Sequence, residues 1–115
     1  MKSTNIELAP RLKPFKGVDM AILGSGDRIT FIRMTIKPGS FVTEHTHPNE
    51  QIGTCLEGAG ELASGGETIR VTPGVSWNIP ANEPHSFIAR GDSDVLIYEV
   101  WSPPREDYLS MAEKR

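Results

Sequence analysis

At 115 residues, with a formal net charge of −3 and 7% aromatic residues, the chain can build one hydrophobic core and so one domain. It shows no basic stripe, which argues against a nucleic-acid partner, and its apolar runs are too short to span a membrane. One cysteine, Cys55, excludes an intrachain disulfide and fits a reducing compartment; the opening MKSTNIELAP lacks a hydrophobic run or cleavage signal, so a cytoplasmic location is expected.

Taken in order, residues 1–18, with Pro10 and Pro14, read as an extended arm. Residues 19–103 read as the body and 104–115 as a tail. Eleven glycines and nine prolines punctuate the chain, and the runs between them are rich in Ile, Val, Thr and Phe. That pattern predicts an all-β barrel or sandwich. Strands are expected near 20–23, 28–37, 42–46, 50–57, 60–64, 67–72, 76–79, 85–90 and 94–101. Ser64-Gly65-Gly66 reads as a hairpin turn, because glycine accepts positive φ without a steric cost. Lys37-Pro38-Gly39, Thr72-Pro73-Gly74 and Arg90-Gly91-Asp92 mark further turns. A short helix is expected over Pro104–Lys114.

The stretch from Gly39 to Gly58, GSFVTEHTHPNEQIGTCLEG, carries the chemistry. His45 and His47 are two apart, and alternate residues of a strand share a face. Gln51 keeps the same parity on a continuous strand, and His85 arrives later in NIPANEPHSF. Together they suggest a mononuclear metal site with ligands His45, His47, Gln51 and His85. Imidazole suits Zn, Cu, Fe and Ni, and the amide oxygen also admits Mn. Gln51 can alternatively be a structural amide beside a three-histidine site. Glu50, adjacent to it, is expected to point the other way. Cys55 reads as a small buried hydrophobe.

The spacing resembles the two motifs of the cupin family. The first runs Gly39, His45, His47, Gln51 (where the family usually has Glu) and Gly58. The second runs Gly74, Pro80 and His85, with Asn82 in place of a Gly and Ala89 in place of an Asn. Asn tolerates the left-handed conformation better than most residues, so Asn82 is a mild departure. The resemblance implies a jelly-roll β-barrel, closed so that strand edges are hidden. By parity, Gly53 and Cys55 then face the lumen with Gln51, His85 shares a face with Phe87 and Ala89, and Glu99 shares one with Val95, Ile97 and Trp101. A neutral Gln ligand leaves a divalent ion its full charge, so the ion should polarise a bound carboxylate, carbonyl or water more strongly than in a site with Glu.

The segment LIYEVWSPPREDYL, residues 96–109, together with HTHPNEQ, is similar to the small cupins of pectin and alginate breakdown that linearise 4,5-unsaturated uronates. That resemblance implies ligands His45, His47, Gln51 and His85, and implicates Glu99, Trp101 and Arg105 in activity. The acidic residue is Asp and the aromatic Phe in those relatives; Glu99 is one methylene longer and Trp101 bulkier, which leaves room for a different substrate. Independently of the resemblance, Glu99 lies in an apolar run, where an unpaired carboxylate is costly. It is either a general acid/base beside the metal or the partner of an arginine such as Arg33 or Arg105. Trp101 is either core or a sugar platform. Arg105 either holds a substrate carboxylate or pairs with Glu106 or Asp107.

Three function classes follow: a metal-dependent lyase or isomerase acting on a small carboxylated sugar or ketone, a cupin dioxygenase, and a non-enzymatic small-molecule-binding barrel. The first is the leading expectation, with one divalent ion (Ni, Zn, Mn, Fe or Cu), a small-molecule substrate and a homodimeric assembly.

Overall fold

The computed structural model of the protein describes residues 1–113. The strands are β1 (Arg11–Phe15), β2 (Val18–Ser25), β3 (Thr30–Ile36), β4 (Phe41–His45), β5 (Glu50–Glu57), β6 (Ala59–Ser64), β7 (Glu67–Val71), β8 (Ser76–Ile79), β9 (His85–Arg90) and β10 (Val95–Ser102), followed by the helix α1 (Glu106–Met111). They form two antiparallel sheets, six strands in the order β1-β2-β3-β10-β5-β8 and four in the order β4-β9-β6-β7. This is the expected all-β jelly roll, with the two sheets enclosing one interior.

Period-two patterning holds the sheets face to face. On β10, Val95, Ile97, Glu99 and Trp101 are buried, while Leu96, Tyr98 and Val100 are half-buried. On β9, His85, Phe87 and Ala89 point inward, and on β5 Gln51, Gly53 and Cys55 do so while Glu50 is exposed. One end of the interior is purely apolar. Ile36, Val71, Val95 and Cys55 are fully buried there, and truncating Ile36 to Ala should cost about 2–5 kcal/mol. The polar residues gather at the other end. Gly65 and Gly66, at φ 58° and 81°, close the β6–β7 hairpin where the sequence placed its turn.

Two local readings are corrected. The stretch expected as an extended arm carries a strand, β1, which pairs with β2 and buries Leu12. Pro14 concealed it, but β1 is an edge strand, where a missing N–H costs no ladder bond, and the register shifts there between Leu12 and Phe15. The tail helix is shorter than Pro104–Lys114. It begins after Arg105, and after Met111 the chain turns extended, so that Glu113 exchanges two backbone hydrogen bonds with Arg11. The expectation for Lys114 and Arg115 lies outside the described residues.

Candidate metal centre

The histidines converge by a route that strand parity alone did not foresee. His45 is the last residue of β4, and His47 is not on that strand at all. It sits in the connection that carries the chain from the four-stranded sheet to β5 in the six-stranded one. His85 opens β9 as the direct cross-strand partner of His45, after a register shift between Val42 and His45. Gln51 comes from β5, on the facing sheet. The shared face read for His45 and His47 is thus produced by a crossover, which rotates the chain as it changes sheets.

The crossover is pinned on both sides. The Asn82 N–H donates to the His47 carbonyl at 2.9 Å. Asn82 adopts φ 67° to do so, the left-handed conformation that Asn tolerates. Asn49 is 5% exposed and donates its side-chain amide to the carbonyls of Pro103 and Pro104, at 2.6 and 3.3 Å. Asn49 carried no spacing signal in the sequence; its partners are more than fifty residues away.

One ring nitrogen from each of His45, His47 and His85 lies within 4.8 Å of the others. Nitrogens that share one ion are separated by about 3 to 4.2 Å, so the three rings need only draw together to hold one. The Nδ1 atoms of His45 and His85 donate to the carbonyls of Thr43 (2.7 Å) and Glu83 (2.8 Å). A carbonyl only accepts, so Nε2 of each ring carries the free lone pair, the tautomer a metal requires. Burial, with help from the nearby Arg105 and His85 charges, pushes His47 down to about 4. Burial also lowers His85. Neutral imidazoles are thereby ready to ligate near neutral pH. His47 Nδ1 is buried with no partner, while Nε2 sits 2.9 Å from Gln51 Oε1. An amide oxygen only accepts, so Nε2 carries the proton here; an ion held by the three histidines would take that proton's place, with the Gln51 oxygen beside it, and imidazoles with one amide oxygen are a donor set that suits a divalent transition metal.

Behind the histidines lies a buried polar network. Trp101, 2% exposed, donates Nε1–H to Gln51 Oε1 at 3.2 Å. Gln51 Nε2 donates to Glu99 Oε2 at 2.6 Å, and Trp77 Nε1 donates to the same oxygen at 3.1 Å. Glu99 is 4% exposed, and burial pushes its carboxyl up to about 7 against the pull of these donors and of Arg105. A cation bound at the histidines would draw it back down. Glu99 forms no ion pair with Arg33 or Arg105 among the described residues.

Arg105 is 4% exposed and donates Nε and Nη2 to the two carboxylate oxygens of Asp107, each at 3.0 Å. This bond holds the Asp107 carboxyl below its ordinary range. The guanidinium also lies over Trp101 and Tyr108, 4.6 and 3.8 Å from the ring centroids. Thus Arg105 takes the surface partner weighed for it and still lines a cavity of about 40 Å³ bounded by His45, His85, Gln51, Glu99 and Trp101. Trp77, which the sequence reading passed over, belongs to this site. Its only sequence trace is an inward-facing position on a short strand opposite Gly53.

Residues 32–101 match the family model described as the cupin domain. The solved structure of KdgF from Halomonas sp. aligns with a TM-score of 0.83 at 26% identity, covering 94% of this chain and 97% of that one. An RmlC-like cupin from Shewanella frigidimarina shares the fold at a TM-score of 0.85 and 19% identity, covering 94% and 96%. A 5-nitrosalicylic acid 1,2-dioxygenase of Bradyrhizobium sp. is 37% identical over 65 residues, 56% of this chain and 31% of that protein. The chain spans 26% to 41% of the length of the curated relatives it matches. The matched span holds all three histidines, Gln51, Glu99 and Trp101, and with two sheets enclosing them the chain belongs to the cupin family, as a small cupin similar to KdgF.

Proposed function

We propose that the protein is a metal-dependent lyase or isomerase acting on a small carboxylated sugar or ketone, with the opening of 4,5-unsaturated uronates as its first candidate reaction. The observation that carries the reading is a single buried carboxyl, Glu99, beside a three-histidine cluster in one cavity that also holds Arg105. His45, His47, His85 and Gln51 would hold one divalent ion, which supplies Lewis acidity toward a substrate oxygen. Opening an unsaturated uronate requires a proton at an enol-ether carbon and water chemistry at the neighbouring carbon. Glu99 would move that proton. Arg105 Nη1 has no hydrogen-bond partner among the described residues and is the free edge for a substrate carboxylate. Trp101 forms the wall beside them and keeps bulk water out. The motif resemblance to uronate-linearising cupins and the alignment with KdgF support this choice. A two-fold homodimer and a cytoplasmic setting belong to the same proposal.

The test is turnover of an unsaturated uronate monosaccharide by protein loaded in turn with Ni, Zn, Mn, Fe and Cu, beside Glu99→Gln. Conversion to the open-chain keto form by the wild type, lost in the variant, supports the reading. The similarity to the nitrosalicylate dioxygenase favours a second reading, a cupin dioxygenase. Oxygen uptake with an aromatic or enolic acid, and none of the uronate chemistry, would select it.

A further inference from the structure

Trp77, Gly53 and Glu99 form one row across β8, β5 and β10. Gly53 is the register partner of Trp77 on one side and of Glu99 on the other, and all three face the interior. Neighbouring strands are about 4.8 Å apart, so the outer two backbones are separated by about 10 Å. An indole can bridge that gap only if nothing stands on the middle strand. Gly53 leaves it empty: a Cβ there would come within 2.6 to 2.8 Å of the Trp77 ring. Gly53 is not among the positive-φ glycines, so the position calls for glycine because of space.

Across that gap Trp77 donates its indole N–H to Glu99 Oε2 at 3.1 Å, and Gln51 Nε2 donates to the same atom at 2.6 Å. An indole nitrogen can only donate. Trp101 settles the Gln51 amide in the same way, because its N–H requires Oε1 and so turns Nε2 toward Glu99. Both donors therefore converge on Oε2. Glu99 Oε1 has no hydrogen-bond partner among the described residues, yet it is not sealed off. The fully buried, unpaired side-chain polar atoms are Arg11 Nε and His47 Nδ1, and Glu99 lines the cavity. Oε1 is the oxygen that a ligand can reach.

We infer that Trp77, seated on Gly53, is a positioning residue: it holds Oε2 of Glu99 and so presents Oε1 to the substrate. The inference rests on Glu99 serving as the acid/base of the proposed reaction. It assigns separate tasks to the two oxygens, one held by fixed donors and one carrying the exchanged proton. It also explains why a glycine interrupts the inward face of β5 between Gln51 and Cys55.

Two variants separate this role from packing. Trp77→Phe keeps an aromatic ring on Gly53 and removes the N–H. Gly53→Ala keeps every polar group and drives the ring off its seat. Measured with the metal-loaded protein and the unsaturated uronate, each should lower kcat by about 10- to 100-fold, the usual effect of misplacing a reacting group by about an ångström. KM and metal content should stay at wild-type values. A second readout needs no turnover. In metal-free protein the infrared band of Glu99, identified as the one absent in Glu99→Gln, should shift in Trp77→Phe, because one of its oxygens loses a donor. Wild-type kcat in Trp77→Phe, with Glu99→Gln inactive, overturns the positioning role, as does an unmoved band. Full activity in Glu99→Gln instead defeats the acid/base reading itself. Should Gly53→Ala not fold, Trp77→Phe decides alone.

Discussion

His45 and His85 are cross-strand partners on β4 and β9, and their rings meet edge-on with centroids 4.4 Å apart. The His47 ring approaches His85 to 4.9 Å and His45 to 5.5 Å from the crossover. Two of the three histidines are thus set by sheet register and one by a turn held at Asn82. The two kinds of support differ in stiffness: a register slip would move His45 and His85 together, whereas His47 depends on a few local hydrogen bonds.

Metal occupancy should reflect this arrangement. His47→Ala and His85→Ala are each expected to bring the content of purified, dialysed protein from about one ion per chain to a small fraction of that, since losing one of four donors typically costs orders of magnitude in affinity. Elemental analysis of the three single histidine variants checks it. Wild-type stoichiometry in His47→Ala would remove the site.

Replacing Gln51 by Glu should separate the metal-free from the metal-bound protein. The Gln51 amide donates to Glu99 at 2.6 Å, so Gln51→Glu sets two carboxyls against each other in a buried place. The metal-free variant should lose about 1–3 kcal/mol through the missing donor. A divalent ion offsets the added charge, so its stabilising effect in thermal melts should be larger than in the wild type. Turnover should fall because the extra charge weakens Lewis acidity. Equal melting temperatures without metal, or faster turnover, would contradict this account.

A pH dependence of stability follows from Glu99. Its folded pKa, about 7, lies above the ordinary 4.5. A raised folded value means that the contribution is whole below about pH 4.5 and is lost as pH rises through about 7. For metal-free protein the loss is about 3 kcal/mol. His47, pushed down from 6.5 to about 4, acts in the opposite sense: its contribution is present above about pH 6.5 and is lost as pH falls through 4. Comparing wild type with Glu99→Gln isolates the first effect, because His47 is common to both. The variant should gain on the wild type between pH 5 and pH 8 in denaturant melts. A constant difference across that range would show that Glu99 stays charged in the fold.

Phe31, Val100 and Ile52 occupy one row across β3, β10 and β5 on the outer face of the larger sheet. Phe31 is 38% and Ile52 53% exposed, and exposed apolar rows of this kind commonly mark an interface. The proposed homodimer is expected to use this face. Light scattering at micromolar concentration should give twice the chain mass for the wild type and the chain mass for Ile52→Lys. A monomeric wild type would end the proposal.

The sequence by itself determined the class of fold and most of the side-chain facings. Period-two patterning on β5, β9 and β10 requires only local backbone geometry, so Gln51, His85 and Glu99 could be assigned inward from the order of residues. The motif spacing likewise nominated the three histidines. Tertiary structure decided what those residues touch. His47 reaches the cluster through a change of sheet, and β1 is a strand because β2 offers it an edge despite Pro14. Glu99 meets Trp77 across an empty Gly53 rather than an arginine. Each of these depends on which strands become neighbours. Neighbourhood is set by burying the whole apolar surface at once, and a window of sequence carries only its own part of that sum.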